Sequence, residues 1–157
     1  MDRFDSSLWE YLKSKSDKIT MAERIKILKI IFDVVNHIQI EGFCHLDLKP
    51  SNIFINLSNG IWDGITLKIA DFGLCQKSND LNGRMGTPAF GSPEQFEGNP
   101  HRKSDNYALG KMAILILLPW NIGWNLMTQP LTTDEFDQHP AKFDEICKII
   151  SKLLRVS

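Results

Sequence analysis

The sequence predicts a mainly α-helical protein with one small β-hairpin, and three observations carry that expectation. Apolar residues recur at steps of three and four from Ile25 to Ile38 and again from Phe143 to Leu154, the spacing of one buried helix face. The run from Met112 to Pro119 is almost wholly apolar, as in a helix covered on all sides. Only Ile53-Phe54-Ile55 and Thr66-Leu67-Lys68-Ile69-Ala70 are β-prone, and the turn signals Asn59-Gly60 and Asp63-Gly64 lie between them.

Each element follows from local chemistry. Leu8, Trp9, Tyr11 and Leu12 make one or two amphipathic helical turns, and Ser14-Lys15-Ser16-Asp17 reads as a solvated loop. Thr20-Met21-Ala22-Glu23 fits a capping box, in which the Thr20 hydroxyl takes an early helical N–H and Glu23 reaches back. The helix it opens buries Ile25, Leu28, Phe32, Val35 and Ile38 and stops at Gly42. The two β-prone runs pair as a hairpin. Leu74 to Phe90 is polar and aperiodic, the composition of a long mobile loop. Ser92-Pro93-Glu94-Gln95-Phe96 starts a helix, with Pro93 at its first position and Glu94 near the positive end of its dipole. Ser104 or Asp105 caps the next helix, which runs through Met112 and Leu117 to Pro119. Asn121 to Pro140 is irregular with one short helix, and Phe143, Ile146, Cys147, Ile150, Leu153 and Leu154 line a last helix.

The bulk numbers fit one soluble globular domain over residues 1–157, with 43% hydrophobic and 24% charged residues. A net charge of −1 gives no field that favours nucleic acid or an anionic membrane. No apolar run approaches the roughly 20 residues that a membrane span needs. Cys44, Cys75 and Cys147 are scattered and odd in number, which argues against a disulfide framework or a zinc site and suits the reducing cytoplasm.

The chemistry concentrates in His45-Leu46-Asp47-Leu48-Lys49-Pro50-Ser51-Asn52 and in Asp71-Phe72-Gly73. One loop holds an acid, a lysine and an amide; a second acid follows the hairpin beside a glycine. Such a set suits holding a metal-bound triphosphate next to a hydroxyl nucleophile. Isolated readings are blander. His45 is a packed histidine; His37, His101 and His139 are surface residues; Trp9, Trp62, Trp120 and Trp124 are packing residues; and Cys75 is no reactive centre.

Taken in order, these loops resemble the catalytic and metal-binding loops of eukaryotic protein kinases. Gly86-Thr87-Pro88-Ala89-Phe90-Gly91-Ser92-Pro93-Glu94 is similar to the end of the family's activation segment. Ser104-Asp105-Asn106-Tyr107-Ala108-Leu109-Gly110 is similar to the start of the large buried helix of its C-terminal lobe. The resemblance covers nearly the whole chain and implies a Ser/Thr kinase using ATP and Mg²⁺ on a protein substrate. By that resemblance Asp47 accepts or orients the substrate hydroxyl proton, and Lys49 neutralises the transferring phosphoryl group. Asn52 and Asp71 hold magnesium, and Phe54 floors the adenine. Thr87 lines the substrate groove, and Gly73 gives the backbone freedom to aim Asp71. His45 packs on Phe72, Asp105 anchors the catalytic loop, and Glu94 pairs with a distant arginine.

The pattern also departs from the family. Leu46 stands where the family usually carries an arginine that grips a phosphate, so the 74–90 segment is expected to order without phosphorylation. No Arg-Pro stretch follows Leu154 to pair with Glu94, and Arg155 is a poor substitute. Met1-Asp2-Arg3-Phe4 resembles the hinge between lobes, and the 157 residues hold no Gly-x-Gly and no Val-Ala-Ile-Lys-like strand. The expectation is therefore a kinase-like C-terminal lobe lacking its N-terminal lobe, with weak ATP binding alone. The alternative is a kinase-lobe mimic or pseudokinase that docks on an N-terminal lobe or a full kinase and regulates it.

Overall fold

A computed structural model describes residues 6–57 and 65–128. In chain order the elements are β1 (Ser6–Ser7), α1 (Leu8–Lys15), α2 (Met21–Ile40), β2 (Phe43–Cys44), β3 (Ile53–Leu57), β4 (Ile65–Ile69), β5 (Gln76–Lys77), α3 (Pro93–Phe96), α4 (Ser104–Leu117) and α5 (Trp120–Thr128). Short 3-10 helices cover Ser16–Lys18, Pro50–Asn52 and Phe72–Leu74. The turn signals at 59–60 and 63–64, Trp62, His139, Arg155 and the helix expected from Phe143 lie outside the described residues.

The Thr20 capping box is present: Glu23 N–H donates to Thr20 Oγ1 and Thr20 N–H donates to Glu23 Oε2. The buried stripe of α2 is Arg24, Ile27, Leu28, Ile31 and Val35. Of the expected face, Leu28 and Val35 are buried, whereas Ile25, Phe32 and Ile38 flank the core half-buried. The stripe is thus turned toward Ile27 and Ile31, because α2 packs on both α4 and β4. Each fully buried aliphatic there contributes about 1.5–3 kcal/mol. Gly42 follows the helix at φ +82°, where an added Cβ meets nothing, so glycine is favoured by the backbone conformation and not by space.

α4 is buried on nearly every side, from Ala108 and Leu109 through Met112–Leu117. It begins at Ser104 itself, with no side-chain cap. The Ser104 hydroxyl takes the His101 N–H and the Ser92 hydroxyl instead, and Asp105 turns to a different loop, so neither is free to cap. The helix stops at Leu117, and α5 follows at once as the one short helix expected in the 121–140 stretch, beginning at Trp120; residues 129–140 lie outside the described residues.

Of the expected solvated loop, Ser14, Lys15 and Asp17 are exposed, but Ser14 and Lys15 belong to α1 and Ser16 is buried. The reason is Arg24, only 5% exposed, whose guanidinium donates to the carbonyls of Ser16, Ile19, Ile116 and Leu118. Ser16 Oγ also accepts the N–H of Trp120. Trp120 and Trp124 close on Trp9, with ring centroids 4.7 and 4.9 Å away at near-perpendicular planes.

The hairpin forms as expected: β3 and β4 pair antiparallel with Ile53 opposite Ile69 and Leu57 opposite Ile65. β1 adds a third strand beside β3. A second, two-stranded sheet pairs Phe43 with Lys77 and Cys44 with Gln76. That strand, β5, lies in the stretch expected to be an unstructured loop; two residues are too few to show a period, and their partner is remote in sequence. Among the described residues, no helix is long and apolar enough to cross a membrane.

Candidate active site

The loop after β2 is suspended from α4. Asp105 Oδ2 accepts the His45 N–H at 2.8 Å, and Oδ1 accepts the Leu46 N–H at 2.9 Å. Burial pushes the Asp105 carboxyl up from its ordinary value, although both backbone donors and His45 favour its charged form. His45 is fully buried. Its Nδ1 accepts the Asp47 N–H, which leaves Nε2 to carry the proton and donate to the Ala70 carbonyl at 3.0 Å. The ring sits 4.9 Å from that of Phe72. Leu46 is turned into the left-handed region at φ 63°, a costly conformation for a γ-branched residue that the two Asp105 bonds help to hold.

Past that turn, four side chains meet. Lys49 Nζ lies 2.7 Å from Asp47 Oδ2 and donates to Thr87 Oγ1 at 2.9 Å. The Thr87 hydroxyl donates to Asp47 Oδ1 at 2.7 Å. Asn52 Nδ2 donates to the Asp47 carbonyl at 3.0 Å and to Oδ2 at 3.2 Å. Asp47 is 9% exposed, so these bonds act with reduced solvent screening.

The hairpin carries the remaining acid to the same end. Ala70 N–H donates to the Asn52 carbonyl at 2.9 Å, continuing the Ile53–Ile69 pairing, and Asp71 follows directly. Gly73, expected to give the backbone freedom to aim Asp71, is not in the left-handed region; Asp71 itself is, with φ 61°. Gly73 matters for space: a Cβ there would sit 3.3 Å from Asp71 Oδ1. Phe54 lies between the buried Ile53 and Ile55, 36% exposed on the other face of the sheet.

Glu94 accepts a hydrogen bond from Ser104 at 3.2 Å. Burial alone would raise its carboxyl. Hydrogen bonds from its own amide, Ser92 and Ser104, together with His101, outweigh that and bring it below its ordinary value. Cys44 and Cys75 are free, and burial pushes both thiols up, which leaves neither an activated nucleophile.

Sequence reasoning missed Gln95 and Arg24. Gln95 is 1% exposed and joins Ser92 to Leu46 and Met85. The Ser92-x-x-Gln95 spacing is itself a capping-box pattern, which signals half of that role. Arg24 had no signal, since a lysine-like cation on a helix reads as a wet face.

Residues 1–155 match the protein kinase domain family, and the chain belongs to it. It is 36% identical over 101 residues to the probable serine/threonine-protein kinase gdt4 of Dictyostelium discoideum, covering 62% of this chain and 6% of that protein. It is 28% identical over 185 residues to eukaryotic translation initiation factor 2-alpha kinase 1 of Rattus norvegicus, covering 99% of this chain and 29% of that protein. It is 31% identical over 163 residues to smooth-muscle myosin light chain kinase of Gallus gallus, covering 94% of this chain and 8% of that protein. The matches therefore span less than a third of the length of each of these relatives.

Proposed function

We propose that this chain carries the catalytic lobe of a Ser/Thr protein kinase, corresponding to the family's C-terminal lobe. The observation that carries the reading is the closed arrangement of Asp47, Lys49, Thr87 and Asn52 beside the hairpin end that bears Asp71. Asp47 Oδ1 already accepts a threonine hydroxyl, and a substrate Ser or Thr hydroxyl presented there meets the same acceptor. Lys49 lies beside that carboxylate and offsets charge on the transferring group.

The donor chemistry fits Mg²⁺. Asn52 spends its nitrogen on Asp47, which leaves its amide oxygen, and Asp71 supplies a carboxylate, both hard ligands. Bound Mg-ATP supplies the phosphoryl group. Asp47 takes the hydroxyl proton as that oxygen attacks, Lys49 and Thr87 keep Asp47 oriented, and Phe54 offers an apolar face to the base. Free Cys44 and Cys75 support a cytoplasmic setting.

The 157 residues hold no Gly-x-Gly to cover the phosphates, so alone they bind Mg-ATP weakly and transfer little. Transfer to a protein Ser or Thr by the natural polypeptide containing these residues tests the reading; the factor named by the rat relative is a first substrate to try. Loss of transfer in Asp71→Ala supports it. Strong Asp71-dependent transfer by the 157 residues alone would overturn the expectation that they transfer little by themselves.

The exposed Phe54, Phe72 and Leu74 favour a second reading, a lobe that docks on a kinase N-terminal lobe or full kinase. Under that reading a partner kinase's rate changes on mixing, and Asp47→Asn leaves the change intact.

A further inference from the structure

Gln95 is almost fully buried, and its carboxamide is used at both ends. Oε1 accepts the Ser92 N–H at 3.0 Å, which fixes the amide orientation. Nε2 then donates to the carbonyls of Leu46 at 2.8 Å and Met85 at 3.4 Å. Leu46 immediately precedes Asp47, and Met85 lies just before Gly86-Thr87. One side chain therefore ties the two backbone strands that carry the Asp47–Thr87 hydrogen bond.

The surroundings are built around that tie. Gly86 has φ +101°, and a Cβ there would come within 2.9 Å of Gln95 Nε2 and 3.0 Å of the Leu46 carbonyl. A second amide holds the other side of Met85. Gln76 Oε1 accepts the Asn82 N–H at 2.9 Å, while Nε2 donates to the Asn82 carbonyl at 3.0 Å and lies 3.7 Å from Met85 Sδ. The Leu46 side chain is buried and apolar, so it offers no grip on a phosphate. Its backbone carbonyl is what joins the loop to the segment.

We infer that Gln95 is a positioning residue: by clamping Leu46 to Met85 it keeps Thr87 on Asp47, and neutral amides replace a phosphate latch in ordering this segment. The inference rests on Asp47 and Thr87 forming the acceptor site proposed above. Only a group that both accepts and donates serves here. Glutamate has the same size, but its carboxylate would face two carbonyl oxygens in a buried site. Once protonated, it regains one donor for Leu46 while its other oxygen still accepts from Ser92.

The test is Gln95→Glu in the natural polypeptide. At about pH 8 its kcat is expected to fall by roughly 10–100-fold with KM for Mg-ATP unchanged, because the acceptor site is misaligned while nucleotide contacts are not. The loss is expected to reverse toward about pH 6, as a buried carboxyl with a raised pKa takes up its proton. The wild type lacks that limb, and phosphatase treatment leaves its kcat unchanged. Amide exchange at Phe90 and Gly91, both bonded to the Thr87 carbonyl, should quicken in the variant at the higher pH. Wild-type kcat in Gln95→Glu at both pH values overturns the inference, as does a wild type that loses activity with phosphatase. Should Gln95→Glu fail to fold, Gly86→Ala decides: a lower kcat at constant KM supports the clamp, and an unchanged kcat overturns it. A wild type with no transfer at all refutes the kinase reading instead. Exchange at Phe90 and Gly91 then still judges the clamp, unchanged rates removing it.

Discussion

The Thr87 hydroxyl donates to Asp47 Oδ1 at 2.7 Å while accepting from Lys49 at 2.9 Å. The chain thus places one of its own hydroxyls on the carboxylate proposed to receive a substrate's. Asp47→Asn keeps the size of the side chain but replaces one acceptor with a donor that faces Thr87 or Lys49. Phosphoryl transfer by the natural polypeptide is expected to drop by about 10²–10⁴-fold, the usual worth of a positioned base, and the melting temperature to fall as well, because Lys49 loses its carboxylate in a buried network. Radiolabel transfer beside a thermal melt checks both halves. A variant with wild-type turnover removes Asp47 from the mechanism.

Arg24 should matter as much for stability as Asp47 does for chemistry. Arg24→Met leaves the Ser16, Ile19, Ile116 and Leu118 carbonyls without their donor. Each buried acceptor so orphaned costs about 1–3 kcal/mol, so a total loss of about 3 kcal/mol or more is expected from urea titration. Arg24→Lys restores little, because a single ammonium lacks the fork that reaches carbonyls on several elements.

Glu94 gives a pH dependence of defined sign. Its carboxyl is held below the ordinary 4.5, so its contribution to stability is complete above that pH and is lost as pH falls through the lower folded value. The group is largely solvated, so the effect is small, about 1–3 °C in melting temperature at neutral pH. Glu94→Gln should melt below the wild type at neutral pH, with the gap closing on acidification below 4.5. A gap that widens in acid contradicts the assignment.

Cys75 should resist alkylation. Burial raises its thiol and leaves less thiolate than a free cysteine carries at the same pH. Peptide mapping after brief iodoacetamide treatment near neutral pH is expected to find Cys75 labelled more slowly in the native protein than in urea. Equal rates would show a thiol open to solvent and unshifted.

The parts legible in the sequence were those governed by neighbours in the chain. The Thr20 box, the Gly42 stop, the Ile53–Ile69 hairpin and the buried run from Met112 follow from local spacing, and the structure shows each of them. Asp47, Lys49 and Asn52 stood out as residue types and Thr87 through the family resemblance, and the structure brings the four within hydrogen-bonding distance. Features fixed by partners far along the chain were not legible. The β2–β5 pair, the depth of Ser16 and the ties made by Arg24 and Gln95 depend on which carbonyls and strands arrive beside them. The turn of the α2 stripe toward Ile27 and Ile31 has the same origin, since the helix must satisfy two neighbours at once.

Trp9, Trp120 and Trp124 form one aromatic cluster, with Trp120 and Trp124 stacked 6.0 Å apart. Rings this close and fixed at defined angles couple their excited states, so near-ultraviolet dichroism from them reports the docking of α5 on α1. None of the three belongs to the loop that carries Asp47 or to the hairpin end that carries Asp71. The molecule thus contains its own optical gauge of tertiary packing, separate from the nucleotide chemistry: ligand occupancy should leave the band alone, and loss of the packed core should erase it.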